Sequence, residues 1–596
     1  MNALSPQRSP HRICVLKFGS SVLRDASDYA RIAHEIYRHV REGEKVVAVV
    51  SALEGETDTL FGLGEAVGAG AHDALLARLV RCGELKSAAL LGLALERTGV
   101  ACQVFDPHEM GLRAEGAPLD ANLTGLDAAK VFTQLDRHDV IVAPGFFGEG
   151  EHGPSTLGRG GTDLTAVMFA SWLGADRARL IKDVDGVYSD DPAKVADAKR
   201  FDQLDYAEAA KVSRGLVQEK AIFAAQSLGV VIEVASLGRA YATRIASVEA
   251  RPGRVHDVEP LRVAVLGHGS VGAGVCDHLL AHPGRFKLNP VLVRDPAKHA
   301  EARDNGKLAF TDDPLAALGQ APDIVVETVG GTGLARALSQ SVLREGAHLV
   351  SANKAVIAKD FELLHALANA GDRQLRYSAA VGGGAPVLEA IDRLGPNKDI
   401  TAIEGVMNGT CNYIFGQLDL GIGLDEAIAD AQAKGFAEAD PSTDIDGYDA
   451  ADKLSILCWH AFGARVDVRD IERDTLRALS AERIAEARAE GLVFKQVGRA
   501  DIGEDGQVQA RVEILALPQS HPFASLKNEA NGFLIRRPRE TAWVAGKGAG
   551  RWPTAEAVFA DIMDVQRAVS GDQAGLSTIP AILAKSEAEL VGDASA

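Results

Sequence analysis

The segment VAVLGHGSVGAGV (263–275) restricts the fold of this 596-residue chain more than any other. Four apolar residues run directly into Gly267, Gly269 and Gly272, and a helical pattern follows. A GxGxxG turn between strand and helix is the setting of a dinucleotide-binding loop. The first glycine permits the tight turn, the second lets backbone approach a pyrophosphate, and the third lets the helix pack on the strand. Ser270 and Val271 would open a helix whose N-terminus faces the phosphates. The same apolar runs recur as ICVLKF (13–18), KVVAVVS (45–51), DVIVAPGF (139–146) and PDIVVETVG (322–330), alternating with helix-like stretches. That order predicts an α/β fold whose parallel strands are buried on both faces.

One break interrupts the series. ASVEARPGRVHDVEPLRVAVLG (246–267) gathers charges and prolines before a fresh strand, so residues 251–260 are expected to be a linker after a first unit at 1–250. At about 150 residues per domain, the length suggests roughly three or four domains, and 46% hydrophobic residues are enough for several cores. Lys and Arg number 63 against 82 Asp and Glu, a net charge of −19 that argues against a nucleic-acid partner. Six cysteines without CxxC spacing suggest neither disulfides nor a zinc site, and point to a reducing cytoplasm. No apolar run reaches the roughly 18 residues of a membrane span, and the first dozen residues lack the apolar core of a signal peptide. Residues 586–596 read as a tail.

Beyond the glycine turn, the strand KLNPVLVRD ends in Arg294 and Asp295, with Lys298 just after. An acid there suits the ribose of NAD, whereas an arginine suits the extra phosphate of NADP; Arg294 and Lys298 favour NADP(H), with NAD still open. Farther on, GFAEADPSTDIDGYDAADKLSIL (435–457) places Asp449 and Lys453 at i and i+4 on one side of a helix whose Leu454, Leu457 and Ala461 form an apolar face. An isolated pair at that spacing is ordinarily a surface ion pair. The company it keeps changes that reading. GxGxxG, SANKA (351–355), VGGGAP (381–386), NGTCNYI (408–414), DPSTDIDGYDAADK and GAGRWPTAEAVFADI (548–562) follow the order and wording of homoserine dehydrogenases, which residues 261–570 resemble. The resemblance implies a proton-transferring lysine at Lys453 and a second active-site lysine at Lys354. It implies carboxylates at Asp449, Asp444 and Glu438 that hold the substrate's amino group and order the site. Hydride passing between nicotinamide and an aldehyde carbon leaves a developing alkoxide that needs a nearby cation or acid, and a lysine supplies both. The family's carboxylate before VGGG is replaced here by Ser378, so a monovalent cation, Na+ or K+, would rest on backbone carbonyls around Val381.

In the first half, KFGSS (17–21) puts a lysine beside small residues after a strand, a suitable cradle for phosphate oxygens. Together with VVSALEGETD (49–58), CGELKSA (82–88), TLGRGGTDLTA (156–166), KDVDGVYSDDP (182–192) and YAEAAKV (206–212), it resembles an aspartate kinase of the amino-acid kinase fold over residues 13–237. The resemblance implies that Lys17 neutralises phosphate, that Gly19 and Ser20 offer donors, and that Arg159 forks onto the substrate carboxylates. Glu84 and Asp163 would take the substrate's ammonium, Ser51 and Thr57 would add hydroxyl contacts, and Asp183, Tyr188, Asp191 and Lys220 would line the nucleotide side. The nucleophile is already a carboxylate, so ATP with Mg2+ needs positioning and charge neutralisation rather than a general base.

Four departures accompany this resemblance. KFGSS is one residue short of the family's KFGG[TS]S, Lys182 stands where threonine is usual, Ala193 replaces an arginine, and QEKAIFAAQ (218–226) keeps Lys220 but little else of its helix. They leave open a kinase-like half that only binds or oligomerises, and KFGSSVL is also similar to glutamate 5-kinases. The paired ACT-type modules usual in aspartate kinases have no room between Leu237 and Val263. The expected fold class is therefore α/β: an amino-acid-kinase-like α/β/α sandwich, a Rossmann dinucleotide-binding domain at 261–379 completed by 555–585, and an α+β substrate and dimerisation domain at 380–554. Small-molecule substrates, no nucleic acid, no membrane, and a homodimer or homotetramer complete the expectation.

Overall fold

The computed structural model describes residues 12–570 except 69–72, 159, 196, 254–258, 300, 301, 303–305, 396, 397, 435, 436, 438 and 439. The chain divides between Asp257 and Val258 into two compact units. In the first unit the apolar runs become strands. Ile13–Phe18 lies between Lys45–Val50 and Arg177–Lys182, parallel to both. Val140–Pro144, Cys102–Val104 and Ile232–Ser236 extend the sheet in parallel, and among the described residues it reaches nine strands with antiparallel pairing beyond Ile232–Ser236. Val15, Val47 and Val49 enter one core with Val167 and Phe169 of the helix Gly161–Trp172. Their neighbours Cys14, Leu16, Val46 and Ala48 are fully buried as well. Burial on both faces is the reason these strands show runs of apolar residues instead of alternation. A small second sheet pairs Arg113–Ala117, Asp120–Gly125, Phe147–Gly150 and Gly153–Thr156. The expected linker starts later than residue 251: Arg251–Pro252 pairs antiparallel with the strand Phe201–Leu204, and residues 254–258 fall outside the described set.

The second unit opens with the strand Leu261–Leu266, flanked in parallel by Phe286–Leu288, Val291–Leu292 and Ile324–Glu327, with His348–Ser351 and Leu375–Arg376 beyond. The helix Ser270–Leu280 follows the glycine turn, and the late helix Arg551–Val569 packs against it. Ala555, Val558, Phe559 and Ile562 of that helix share a core with Val263, Val265, Val275 and Leu279. Between them lies a largely antiparallel sheet of Ala402–Val406, Leu492–Ile502, Val508–Pro518, Ala530–Arg537 and Glu540–Lys547, with Glu472–Arg473 at one edge. The helix Tyr448–Phe462 lies on this sheet, burying Leu454 and Leu457 in one core with Ile403, Val512 and Phe533. Residues 571–596, including the expected tail, lie outside the described set. No described helix is long and apolar enough to cross a membrane.

Candidate active sites

In the first unit, register brings the charged groups together. Lys17 lies opposite Val49 and Leu180, so the carboxyl ends of three strands deliver Lys17, Ser51 and Lys182 to one edge of the sheet. The turn that follows closes on the Gly19 carbonyl, which accepts from the Val22 and Leu23 amides at 3.0 and 3.1 Å. A Cβ on Gly19 would stand 2.5 Å from Lys17 Nζ, so the lysine curls closely over the turn and any side chain there would displace its tip. Ser20 beside it is exposed. Asp163 sits in the first turn of Gly161–Trp172, after Gly160 at φ +82°. Lys17 Nζ lies 2.7 Å from its Oδ1, and Lys182 Nζ lies 3.0 Å from Oδ2 and 3.3 Å from Oδ1. Against burial, the two ammonium groups hold the Asp163 carboxyl down at about 2. Burial, and then the Lys17 charge, push Lys182 down to about 8.

Both oxygens of Asp163 accept from lysines in this geometry. Glu84 is buried on the helix Asp73–Thr98, accepts from the Ala52 amide at 3.4 Å through one oxygen, and leaves the other without a partner. Burial pushes its carboxyl up to about 8, the condition of an acid awaiting a cation. Ser51 Oγ donates to Thr162 Oγ1 at 3.1 Å, next to Asp163, and Thr57 lies in the first turn of the helix Glu56–Val67. On the loop after Lys182, Asp183 is exposed, the Tyr188 hydroxyl donates to Asp185 at 2.7 Å, and Asp191 pairs with Lys194 at 2.8 Å. Lys220 is tied to Asp120 at 2.7 Å. Arg159 lies outside the described residues.

The second unit builds its site around another aspartate. Asp449 lies in the first turn of Tyr448–Phe462, entered through Gly447 at φ +78°. Lys354 Nζ lies 2.6 Å from Oδ1, and Lys453 Nζ donates to Oδ2 at 2.8 Å and to the Met407 carbonyl at 2.7 Å. Asn408 donates to Asp449 Oδ2 at 2.8 Å and to Asp444 Oδ1 at 2.7 Å. Against burial, the lysines hold Asp449 well below the usual carboxylate range. Burial lifts Asp444 and Asp452 above it. Asp449 thus orders the two lysines, as the resemblance implies, and Asp444 stands beside it through Asn408; Glu438 lies outside the described residues. Lys354 reaches this point because Asn353 caps its helix, accepting from the Val356 amide at 3.3 Å and donating to the Gly331 carbonyl at 2.8 Å.

The glycine turn beside it is sterically compelled. A Cβ at Gly267, whose φ is +101°, would lie 2.9 Å from the Thr328 carbonyl oxygen, and one at Gly272 only 2.0 Å from that of Gly267. Gly269 faces open space, as a position that backbone offers to a ligand must. Ser270 and Val271 form the first turn of the helix Ser270–Leu280. Arg294 is exposed, Lys298 lies 4.0 Å from Asp295, and the His268 ring meets His299 and Phe310 edge-on at 5.0 and 4.9 Å. Near Val381, the Ser378 hydroxyl donates to Asp561 at 2.8 Å. The one group of His, Cys and acidic side chains close enough to share a metal, among the described residues, is Cys14, His39 and Glu44. Glu44 there is already engaged by Arg177 and His39 at 2.8 and 2.7 Å, so the group is a buried ionic network.

The family model for homoserine dehydrogenase matches residues 386–563, and that for the homoserine dehydrogenase NAD binding domain matches 267–378. A homoserine dehydrogenase of Synechocystis is 38% identical over 319 residues, covering 51% of this chain and 73% of that protein. One of Mycobacterium leprae is 34% identical over 327 residues, covering 52% and 73%. The solved structure of a homoserine dehydrogenase from Thiobacillus denitrificans superposes with a TM-score of 0.50 at 33% identity, over 52% of this chain and 74% of that one. The chain belongs to the homoserine dehydrogenase family. Ahead of the dehydrogenase, the amino acid kinase family model matches residues 12–236, so the chain joins an amino acid kinase domain to a homoserine dehydrogenase with an NAD(P)-binding lobe.

Four residues of these centres escaped the sequence reading. Lys182 stood out only as a replacement for threonine, although a lysine at the end of a buried parallel strand signals a ligand-facing cation. Asn408 lay inside the quoted NGTCNYI without a role, and its position before a helical run marks a cap. Asp452 and His268 carried no signal of their own.

Proposed function

We propose that the chain is bifunctional, phosphorylating L-aspartate to 4-phospho-L-aspartate with ATP and interconverting L-aspartate 4-semialdehyde and L-homoserine with NADP(H). The observation that carries this reading is the recurrence of one buried aspartate clamped by two lysines, at Asp163 and again at Asp449. In the kinase half, Lys17 and Lys182 offset the charge of the transferring phosphoryl group, with Gly19 and Ser20 as donors. Glu84 receives the substrate ammonium, Arg159 its carboxylate, and Ser51 and Thr57 its remaining polar edge. Asp183, Tyr188, Asp191 and Lys220 face the nucleotide, which brings Mg2+ with it.

In the dehydrogenase half, NADP(H) seated on Gly267, Gly269 and Gly272 supplies or takes the hydride. Lys453, held by Asp449 and the Met407 carbonyl, is placed to pass a proton to the substrate oxygen and to offset its developing charge. Lys354 adds a second cation from the cofactor lobe, while Asp444 and Glu438 hold the amino group. Arg294 and Lys298 favour the 2′-phosphate of NADP, and carbonyls around Val381 would accept a monovalent cation. Assembly as a homodimer or homotetramer in the cytoplasm fits this reading.

The test uses the purified full chain with aspartate, ATP, Mg2+ and hydroxylamine, scored as aspartyl hydroxamate, beside NADP-dependent oxidation of homoserine. Both products are expected, with glutamate a poor replacement for aspartate and with no sigmoidal inhibition by millimolar threonine. Homoserine oxidation without any hydroxamate would favour the second reading, a dehydrogenase carrying a non-catalytic kinase-like half, for which the shortened KFGSS turn is the motive.

A further inference from the structure

The two lysines of the dehydrogenase centre sit on helices that meet twice. Lys354 opens the helix Lys354–Ala370, and Lys453 lies within Tyr448–Phe462. Their first junction is Asp449, which accepts from both. Along the same faces, eleven residues after Lys354 and seven after Lys453, stand His365 and His460. Tyr377 sits between them: its hydroxyl lies 3.1 Å from His365 Nε2 and 3.5 Å from His460 Nδ1. All three side chains are buried. On its far side His460 Nε2 lies 2.8 Å from Asp392 Oδ1, and Phe361 stacks on Trp459 at 5.1 Å beside the junction.

Donor and acceptor chemistry gives this chain one direction. An ionised carboxylate only accepts, so His460 donates through Nε2 and, when neutral, presents Nδ1 as an acceptor. Tyr377 then donates to His460 and accepts from His365, whose burial pushes its pKa down to about 3 and keeps it neutral. The Tyr377 hydroxyl and both nitrogens of His460 thus each have a defined role, and such directional contacts fix geometry more sharply than apolar packing does. The first helix is also interrupted at Asp360, between lysine and histidine, at φ −116° and ψ 25°. Arg336 and Gln340, the latter at 2.8 Å, hold the Asp360 carboxylate, so the interruption is set rather than loose.

We propose that Tyr377, with His365 and His460, forms a second clasp between the two lysine-bearing helices and is a positioning residue for Lys354 and Lys453. This rests on the dehydrogenase reading above. Nothing in the hydride transfer touches Tyr377; it acts by fixing how far apart the cofactor-lobe lysine and the substrate-lobe lysine stand. Displacement of a catalytic group by a fraction of an ångström is enough to cost rate without costing binding.

Tyr377→Phe removes a single oxygen and keeps the ring. In homoserine oxidation by the full chain, kcat is expected to fall about tenfold while KM for homoserine and for NADP stays within about twofold and the melting temperature shifts by no more than about 3 °C. His365→Gln, which keeps a donor, is expected to retain more activity than His365→Leu. Wild-type kcat in Tyr377→Phe would overturn the proposal, and so would a loss of kcat matched by equal loss from His365→Gln and His365→Leu. Failure of the wild-type chain to oxidise homoserine would instead remove the reading on which the proposal rests.

Discussion

The centres around Asp163 and Asp449 share a plan and differ in charge balance. Each places one buried aspartate between two lysines, and each takes that aspartate from the first turn of a helix entered through a glycine at positive φ. Around Asp163 the two ammonium groups face one carboxylate, an excess of one positive charge. Around Asp449 the bonded groups add Asp444, joined through Asn408, so that carboxylates and lysines are equal in number. The first balance suits a polyphosphate, and the second suits a ligand without that excess of negative charge. The same local motif thus serves two chemistries through its neighbours, and the lysines answer accordingly: Lys182 is pushed down to about 8, whereas Asp449 lifts Lys354 above the usual lysine range despite its burial.

The strongest way to break the comparison is to remove each bridging anion. Asp163→Asn would leave the buried Lys17 and Lys182 facing one another, at a cost of about 3–5 kcal/mol in its unit, whereas Asp449→Asn would leave buried Lys453 facing the partly exposed Lys354, at a smaller cost because water screens the latter. Each is expected to lower its own activity by about a thousandfold and to leave the other within about twofold. Hydroxamate formation, homoserine oxidation and denaturant unfolding on one preparation would check this, and loss of both activities from either variant would show that the units are not independent. A smaller effect separates the lysines by pH. Phosphate neutralisation needs protonated Lys182, so kcat/KM for ATP should fall about tenfold between pH 8 and pH 9.5, where that lysine loses its proton in the free enzyme. Lys182→Arg should abolish the decline, since a guanidinium stays charged throughout. Homoserine oxidation should show no decline attributable to Lys354 over that range. Smallest is Arg294→Ala. An exposed cation is worth less than a buried one, so preference for NADP over NAD should fall only about fivefold in kcat/KM ratios.

What could be read in the sequence follows from what is local. Runs such as ICVLKF and KVVAVV became strands within a residue or two because burial on both faces leaves a signature in consecutive residues. The glycine turn was legible for the same reason, each glycine answering a clash a few atoms away. Asp449 and Lys453 were visible at helical spacing. The approach of Lys354 to Asp449 across 95 residues, or of Lys182 to Asp163 between a strand end and a helix start, is set by tertiary register that no local pattern records. The residue types were legible but their partners were not: nothing in the sequence placed lysines on both sides of Asp163 and Asp449.

The helix Arg551–Val569 closes the core begun by the strand Leu261–Leu266, and so carries a consequence for biosynthesis. Some 290 residues separate the two, and at about 5–20 residues per second the ribosome needs roughly 15–60 seconds to cross that distance. Throughout that interval Val263, Val265 and Val275 lack the apolar surface of Phe559 and Ile562 that will cover them. The antiparallel sheet of the substrate lobe emerges entirely inside the same window. The nascent dehydrogenase thus spends its synthesis with that core open, while the strands of the preceding kinase sheet are complete before its first residue leaves the tunnel.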